Sequence, residues 1–335
     1  VYKRQDTHRA EFAVDRHAKP FDFSAGGLEC PGADVSDPTE RFLLREQRIC
    51  GNGQLVVELL SSGVHGVEGI AEGLTGSLGF LSGCGWWLGE TVRTRCIANQ
   101  EVTEQRLPDA FDIFPSADVI VAEDEFGGFY IRPSFDGTRP GAFYAGTQID
   151  EAWFQMPSLA YHEALPGHHT QIAIAMEQDV PAFRKIVGVT AFIEGWALYA
   201  ERLAFELGWY DNDPYGNLGR LQYEALRAAR LVMDTGIHEF GWSFDQATQF
   251  NRDNLGASLG SSQGAAARYS VWPGQATAYM IGMLEILDER QRAMDVLGQD
   301  FDIKGFHRAL LTNGAVPLTL LPSVVDQYIE QVQNN

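Results

Sequence analysis

Apolar residues at helical spacing dominate the C-terminal half of the chain. From Ser158 onward the pattern predicts one helix after another, bounded by capping residues, prolines or glycines. Ser158 is expected to cap the first helix, which carries the stretch HEALPGHH (162–169). The other predicted helices cover about 181–207, 218–233, 275–297 and 322–332. The fold class expected from this pattern is mainly α.

A different pattern precedes these helices. Short aromatic runs occupy FGGFYIRPSFDGTRPGAFYAGT (126–147), and Asp136-Gly137 within them suits a tight turn between strands. A small β-hairpin or sheet is therefore expected over about 118–147. Its strand edge would offer main-chain groups to an extended peptide. Further upstream, the apolar and glycine-rich stretch 55–88 predicts packed helices.

Composition narrows the classes of partner. The chain has 335 residues, 45% of them hydrophobic, and a net charge of −20. Such an acidic protein is not expected to bind nucleic acid, because phosphate recognition needs a basic surface. No run of 18 apolar residues occurs, so no membrane span is expected; the nearest approach, 73–89, is interrupted by glycines.

The first five residues and the spacing of the cysteines each limit the interpretation of the chain. Residues 1–5, VYKRQ, read like a translated sequencing adapter, and we interpret 6–335 as a single domain lacking an N-terminal part. Cysteines at 30, 50, 84 and 96 form no C-x-x-C pair, so cysteine ligation of zinc is not expected. They allow up to two disulfides or none.

The stretch HEALPGHH contains the strongest candidate chemistry. His162 and Glu163 begin like the zinc motif H-E-x-x-H, but Pro166 stands where the second histidine belongs. In a regular helix neither His168 nor His169 would meet His162, because each residue turns about 100°. Proline removes the hydrogen bond to the His162 carbonyl, so a kink is expected to bring His168 beside His162. A helical corner with histidines on a wet surface is the alternative.

A third ligand is predicted 32 residues after His162. Glu194 lies in AFIEGWALYAERLAFELG (191–208), with apolar residues at its helical neighbours, so its carboxylate requires a cation or full hydrogen bonding. Gly195 would let another helix approach closely. Glu201 would orient a ligand histidine, or else lie on a solvated face. Glu163 would act as general base on a water activated by the metal.

These residues resemble the bacterial domain-of-unknown-function 885 family, which is grouped with gluzincin-type zinc metallopeptidases. The resemblance covers about 100–335. It rests on YHEALPGHHTQ (161–171), FIEGWALYAERLA (192–204), GRLQYEALRAARLVMDTGIHEFGWS (219–243), RYSVWPGQATAYMIG (268–282) and FDIKGFHRALLTNGAVPLTLL (301–321).

The resemblance implies His162, His168 and Glu194 as ligands of Zn²⁺ and Glu163 as the base. It prefers His168 to His169, whose position is also occupied by tyrosine in the family. Family members are longer at the N-terminus, and many carry export signals, which makes an envelope location an expectation.

Weaker assignments concern three possible donors to the oxyanion of a hydrolytic intermediate. His238, Tyr269 and Tyr279 each have a structural role as the alternative: a buried histidine or a core aromatic. Arg230 and Asp234 are four residues apart in a predicted helix and are expected to form an ion pair.

The function expected from the sequence is zinc-dependent hydrolysis of peptide bonds, in a mainly α-helical metallopeptidase-like domain. The substrate is expected to be a peptide or a small amide. Two alternatives stay open: a zinc-dependent amidase or esterase acting on a non-peptide substrate, and a metal-stabilised binding protein without turnover.

Overall fold

Helices and one small sheet make up the part of the chain described by the computed structural model, namely residues 96–97, 100–101, 103–125, 127–146 and 153–334. The strands are β1 (Val119–Asp124), β2 (Phe129–Ile131) and β3 (Gly141–Gly146). The helices are α1 (Met156–Glu163), α2 (His168–Glu177), α3 (Ala182–Ile186), α4 (Thr190–Glu206), α5 (Pro214–His238), α6 (Phe244–Leu255), α7 (Leu259–Val271), α8 (Ala278–Leu297), α9 (Ile303–Thr312) and α10 (Leu321–Gln333). The mainly α fold with a small sheet is confirmed.

Several sequence interpretations fall outside these residues. The adapter-like residues 1–5, the glycine-rich stretch 55–88 and the cysteines at 30, 50 and 84 are among them. Cys96 is described and is buried. Among the described helices, none is both long enough and apolar enough to cross a membrane.

The sheet contains the predicted hairpin and one strand more. β2 and β3 are antiparallel, and the turn between them includes Gly137, whose φ of 72° favours glycine. The Asp136 carboxylate accepts hydrogen bonds from the Ser134 hydroxyl (2.6 Å) and the Thr138 amide (3.1 Å). β1 pairs in parallel with β3, which becomes the central strand and is almost wholly buried. This parallel pairing was not predicted, because it joins segments separated by a whole hairpin.

The first two predicted helices need correction. Ser158 is not a cap: α1 begins two residues earlier, and the buried Ser158 hydroxyl hydrogen-bonds the Tyr210 hydroxyl at 2.7 Å. The predicted helix 181–207 is two helices, α3 and α4, because the chain is extended at Val187 and Val189. Its predicted end at Gly208 is confirmed, since that residue has a φ of 73°.

The later helices are longer and more numerous than predicted. α5 starts at Pro214, where the Asp213 side chain accepts from the Gly216 amide, and it passes through Gly236 to its end. Gly236 therefore lies inside the helix and does not end it. Its missing side chain makes room for the Trp242 ring. Helices α6, α7 and α9 were not predicted.

The core lies around α4 and α8, which pack against each other at two glycines. A Cβ atom on Gly195 would lie 2.5 Å from the Gly282 backbone, and one on Gly282 would lie 1.8 Å from the Ala191 carbonyl oxygen. The close helix approach predicted from Gly195 is thereby confirmed. On the same helix, Phe192, Trp196 and Tyr199 are fully buried, so the α4–α8 contact holds α4 in place.

A buried histidine connects α9 to the rest of this core. The His307 Nδ1 donates to the Ala110 carbonyl (2.9 Å), so its Nε2 accepts from the Tyr199 hydroxyl (2.8 Å). Burial lowers the pKa of His307 to about 4, against a smaller opposite effect of the Ala110 carbonyl. The imidazole is therefore neutral at pH 7 and holds both contacts in its neutral form.

The glycine contact predicts that Gly282→Ala is destabilising. The added methyl group would overlap the Ala191 carbonyl, and we expect a loss of about 1–3 kcal/mol in the free energy of unfolding. Gly264→Ala is the matched control, because Gly264 lies inside α7 and a Cβ atom there meets nothing within 4 Å. Its free energy of unfolding should rise by about 0.5–1 kcal/mol. Urea denaturation measures both. Equal effects of the two substitutions would contradict the close contact.

The buried His307 predicts a pH-dependent stability. Its pKa is lower in the folded than in the unfolded state, so stability is present above the unfolded pKa of about 6.5 and is lost as pH falls toward 4. Between pH 7 and 5 the loss from this residue should be about 2 kcal/mol. His307→Gln cannot bind the proton, and its urea midpoint should depend less on pH than that of the wild type. The same dependence in both proteins would refute the neutral imidazole.

Candidate metal centre

The helix carrying HEALPGHH is broken between its histidines. α1 ends at Glu163, and α2 begins at His168 after a turn that includes a cis Leu165-Pro166 peptide bond. Pro166 has no amide hydrogen for the His162 carbonyl, which removes the bond that would have continued α1. The free Pro166 carbonyl instead accepts from the Trp196 indole at 3.0 Å. The break predicted from the proline is present, and it is anchored on α4.

Gly167 is required by the way the turn folds back. A Cβ atom there would lie 2.0 Å from the His162 carbonyl oxygen and 2.3 Å from that of Tyr161. Backbone therefore packs directly on backbone at this point, which no larger residue permits. The return of the chain over the end of α1 places His168 next to His162, with ring centroids 4.8 Å apart.

Three side chains converge in the space between α1, α2 and α4. The Glu194 Oε2 lies 3.6 Å from the His162 Nε2 and 3.3 Å from the His168 Nε2. This oxygen is buried and has no hydrogen-bond partner among the described residues. Two imidazole nitrogens thus face one carboxylate oxygen without a hydrogen bond, and all three are atoms of the kinds that coordinate divalent metals.

Glu201 holds the His162 ring from behind. Its Oε1 lies 2.7 Å from the His162 Nδ1, and both residues are buried. The carboxylate accepts a hydrogen bond from Nδ1–H, and in the neutral ring the lone pair then lies on Nε2, the nitrogen that faces Glu194. Arg227 of α5 approaches the same Glu201 oxygen at 3.5 Å and partly balances its charge. This contact is the one that the predicted orienting role of Glu201 requires.

The electrostatics of the cluster favour a positive charge. Burial by itself would lower the pKa of His162, but Glu194 and Glu201 raise it to about 9. Burial would likewise raise the pKa of Glu194, yet His162 and His168 hold it well below its usual range. The two carboxylates thus favour the protonated form of His162, and the two imidazoles favour the ionised form of Glu194.

Glu163 lies beside the cluster. Ligand atoms of His162, Glu163 and His168 lie within 4.8 Å of one another, so Glu163 is a possible third ligand. Glu194 is the better candidate because one oxygen approaches both imidazoles. Among the described residues the Glu163 carboxylate has no hydrogen-bond or ion-pair partner, and it is buried.

His169 is directed away from the cluster. It contacts the Tyr130 hydroxyl through Nδ1 (2.8 Å) and the Ala117 carbonyl through Nε2 (2.9 Å). Gly141 of β3 makes room for the ring, since a Cβ atom there would lie 2.6 Å from its Nδ1. Burial lowers the pKa of His169 to about 4, so the ring is neutral. His169 fastens the sheet to α2 and does not face Glu194.

The three predicted oxyanion donors are placed differently. Tyr279 stacks on the His162 ring, with centroids 6.1 Å apart. Tyr269 lies in a separate apolar cluster, and its carbonyl accepts from the His238 Nε2 at 2.9 Å. None of the described contacts of His238 or Tyr269 involves a proposed ligand. Only Tyr279 is therefore placed by a direct contact beside the cluster.

The predicted ion pair between Arg230 and Asp234 is not formed. The Asp234 carboxylate accepts from the Gly274 amide at 3.0 and 3.1 Å, and the Arg230 Nε donates to the Tyr269 hydroxyl at 2.9 Å. The helical spacing allowed the pair, but both side chains find partners on the segment around Pro273. Asp234 thus holds the turn that precedes α8.

Sequence reasoning missed two side chains of the site. Tyr130 of β2 packs near the His168 ring, with centroids 6.5 Å apart, and Arg227 supports Glu201. Tyr130 is one aromatic among several in its stretch, and Arg227 is one of three arginines in α5. No local signal distinguishes either, because their contacts cross between elements distant in sequence.

Comparison with known proteins places the chain in a family. Residues 90–325 match the family described as bacterial protein of unknown function (DUF885). The chain belongs to the DUF885 family. A search of curated proteins found no match for this DUF885 protein.

Two solved structures share its fold. One, from Colwellia psychrerythraea, is described as a "putative lipoprotein"; it is 34% identical, with a TM-score of 0.74, over 88% of this chain and 53% of its own. The other, from Shewanella oneidensis, is described as a "putative lipoprotein of unknown function"; it is 20% identical, with a TM-score of 0.67, over 88% of this chain and 56% of its own. The chain thus spans about half the length of these relatives.

The contacts of His169 predict a structural role that is distinct from that of its neighbour. His169→Phe removes both hydrogen bonds and leaves the Ala117 carbonyl and the Tyr130 hydroxyl without a partner, at a cost of about 1–3 kcal/mol in the free energy of unfolding. Chemical denaturation of the metal-free protein measures this loss. His169→Gln is the control and should cost less, because its side chain keeps a donor and an acceptor at this position. An unchanged stability of His169→Phe would contradict the role.

Proposed function

We propose that this DUF885 protein is a zinc-dependent hydrolase that cleaves peptide bonds. The observation that carries the proposal is the approach of the Glu194 Oε2 to the Nε2 atoms of His162 and His168, without a hydrogen bond to either. His162, His168 and Glu194 would hold the metal. The gluzincin-type resemblance of the motif supports the same assignment.

The donor set fits zinc. Two histidine nitrogens and one carboxylate oxygen form a common ligand set of catalytic zinc, which leaves a further position open. Ligand atoms at about 2.0–2.1 Å from a tetrahedral zinc lie about 3.3–3.4 Å from one another. The separations of 3.3 and 3.6 Å between the Glu194 oxygen and the two imidazoles are close to this value. The absence of cysteine from the described cluster is also compatible with a catalytic site.

The chemistry divides between the metal and the chain. When bound, zinc would polarise a substrate carbonyl and lower the pKa of a water molecule. Glu163 takes a proton from the attacking water and passes it to the leaving amine. A C–O bond forms, the C–N bond of the peptide breaks, and the products are an acid and an amine. Glu201 keeps the His162 ring oriented, since its carboxylate accepts a hydrogen bond from Nδ1–H.

A peptide substrate is favoured by the position of the sheet. β2 is an edge strand, and its Tyr130 packs against His168. An extended peptide paired with this edge would pass beside the proposed ligands. A cavity of about 350 Å³ is lined by residues of α4, α8 and the turn between α7 and α8, including Ala191, Gln275 and Ala278. Gln275 of this lining donates to the hydroxyl of Tyr279 at 3.3 Å, and Tyr279 stacks on the His162 ring. The largely apolar wall of the cavity suits a small apolar side chain.

The relatives also bear on location. The Colwellia protein is described as a "putative lipoprotein", and at 34% identity it supports an envelope location for this protein. Peptides of the cell envelope are then the available substrates.

The assignment of Glu163 predicts a separation of metal binding from catalysis. Glu163→Gln should retain about one zinc per chain and lose at least about 100-fold in kcat on a peptide library, because the amide cannot accept the proton. Glu194→Gln is the matched control and should lose most of the zinc. Metal analysis and mass spectrometry of the digest measure the two properties.

Other results would change the roles. Loss of zinc in Glu163→Gln together with retention in Glu194→Gln would make Glu163 the ligand. Full activity in Glu163→Gln would contradict the general base.

A further inference from the structure

Arg230 lies between Tyr279, which stacks on the His162 ring, and Tyr269 of α7. It belongs to α5 and is half-buried. Its Nε donates to the Tyr269 hydroxyl at 2.9 Å, and its guanidinium carbon lies 4.6 Å from the Tyr279 ring centroid and 5.8 Å from that of Tyr269. The two rings hold the guanidinium in place and leave its terminal nitrogens available.

Arg230 differs from its neighbours in having no carboxylate partner. Each other arginine of α4, α5 and α8 is paired with an acidic side chain, namely Arg202, Arg220, Arg227, Arg290 and Arg292. No carboxylate of the described residues forms an ion pair with Arg230, although the chain carries 45 acidic residues. Asp234, one turn further on, is bound to the Gly274 amide instead. A positioned cation is thus left unpaired.

Guanidinium chemistry indicates the kind of ligand. The group is planar, always charged, and carries donors that match the two oxygens of a carboxylate. Stacking on aromatic rings fixes its plane before a ligand arrives. A half-buried cation without a counter-charge is costly, and an anion from the substrate would remove that cost. A carboxylate is the anion that a peptide supplies.

The position of Arg230 limits which carboxylate this can be. Tyr279 separates it from the metal ligands: the ring lies 4.6 Å from the guanidinium carbon and 6.1 Å from the His162 ring. An extended peptide advances about 3.3–3.6 Å per residue, so a group bound by Arg230 lies within about three residues of the reacting carbonyl. This distance is short enough for the terminus of the leaving fragment.

We propose that Arg230 binds the C-terminal carboxylate of the substrate, which would make this protein a peptidase that removes one to three residues from the C-terminus. This inference rests on the proposed function and names its substrate class. The C-terminus is favoured over acidic side chains because a protein of net charge −20 repels acidic peptides in general. A peptide whose single anion is its terminal carboxylate keeps that repulsion small and still provides the anion.

Binding to a protein that cannot turn over tests the assignment directly. Zinc-loaded Glu163→Gln is titrated calorimetrically with N-acetyl-tetraalanine as the free acid and as the C-terminal amide. The free acid should bind about 10- to 100-fold more tightly, the range expected for hydrogen bonds to a charged group. Arg230→Gln in the same background should bring the two affinities together. Arg252→Gln, which changes an exposed arginine of α6, is the matched control and should keep the preference.

One further variant and one further peptide define the interaction. Arg230→Lys keeps the positive charge without the planar fork and should retain a preference of only a few-fold. An amidated peptide with glutamate at its last position distinguishes a side-chain carboxylate from the terminal one. Tight binding of that peptide, equal to that of the free acid, would overturn the C-terminal assignment.

Cleavage by the wild type distinguishes this inference from the function on which it rests. Shortening of the free acid from its C-terminus, with the amide cut at least about tenfold more slowly, supports both. Equal cleavage of acid and amide overturns the role of Arg230 and leaves the peptidase intact. A third outcome is that the protein binds the acid more tightly, that Arg230→Gln abolishes this preference, and that neither peptide is cleaved. It supports carboxylate binding by Arg230 and contradicts the proposed peptidase activity.

Discussion

The hydrogen bond between Glu201 and His162 is the interaction on which the rest of the site depends. It buries a carboxylate against an imidazole, 2.7 Å apart, and joins α4 to α1. A buried carboxylate is tolerated only with compensating partners, and Arg227 of α5 supplies part of that compensation. Three helices are thereby held around one ring, whose other nitrogen is directed at Glu194. The orientation of that nitrogen brings it to the carboxylate with which it would share the proposed metal.

Close packing of the backbone places His168, Glu194 and Tyr279 around this ring. Gly167 lies directly on the carbonyl of His162, which returns the chain so that His168 faces the same space. Gly195 and Gly282 let α4 and α8 approach each other, so that Glu194 and Tyr279 flank the cluster from neighbouring helices. In each case the absence of a side chain creates the proximity. The polar site is therefore built on contacts between backbones, which do not depend on a bound ion.

Local pattern allowed part of this arrangement to be predicted. The nearness of His168 to His162 follows from the missing hydrogen bond at Pro166, and the role of Gly195 follows from its place beside a buried carboxylate. Contacts between distant elements could not be predicted in this way. The parallel pairing of β1 with β3, the support of Glu201 by Arg227 and the loss of the Arg230–Asp234 pair all depend on tertiary packing. Ser158 fits a cap by residue type, but its hydroxyl bonds Tyr210 in the core.

We expect two histidines and one carboxylate to bind zinc. X-ray absorption at the zinc edge of the purified protein can test this, because the spectrum reports donor types and distances. It should show stoichiometric zinc with two imidazoles and oxygen donors at about 2.0–2.2 Å, and it should be altered in His168→Ala but not in His169→Ala. A sulfur donor at about 2.3 Å, or a spectrum that His168→Ala leaves unchanged, would contradict it.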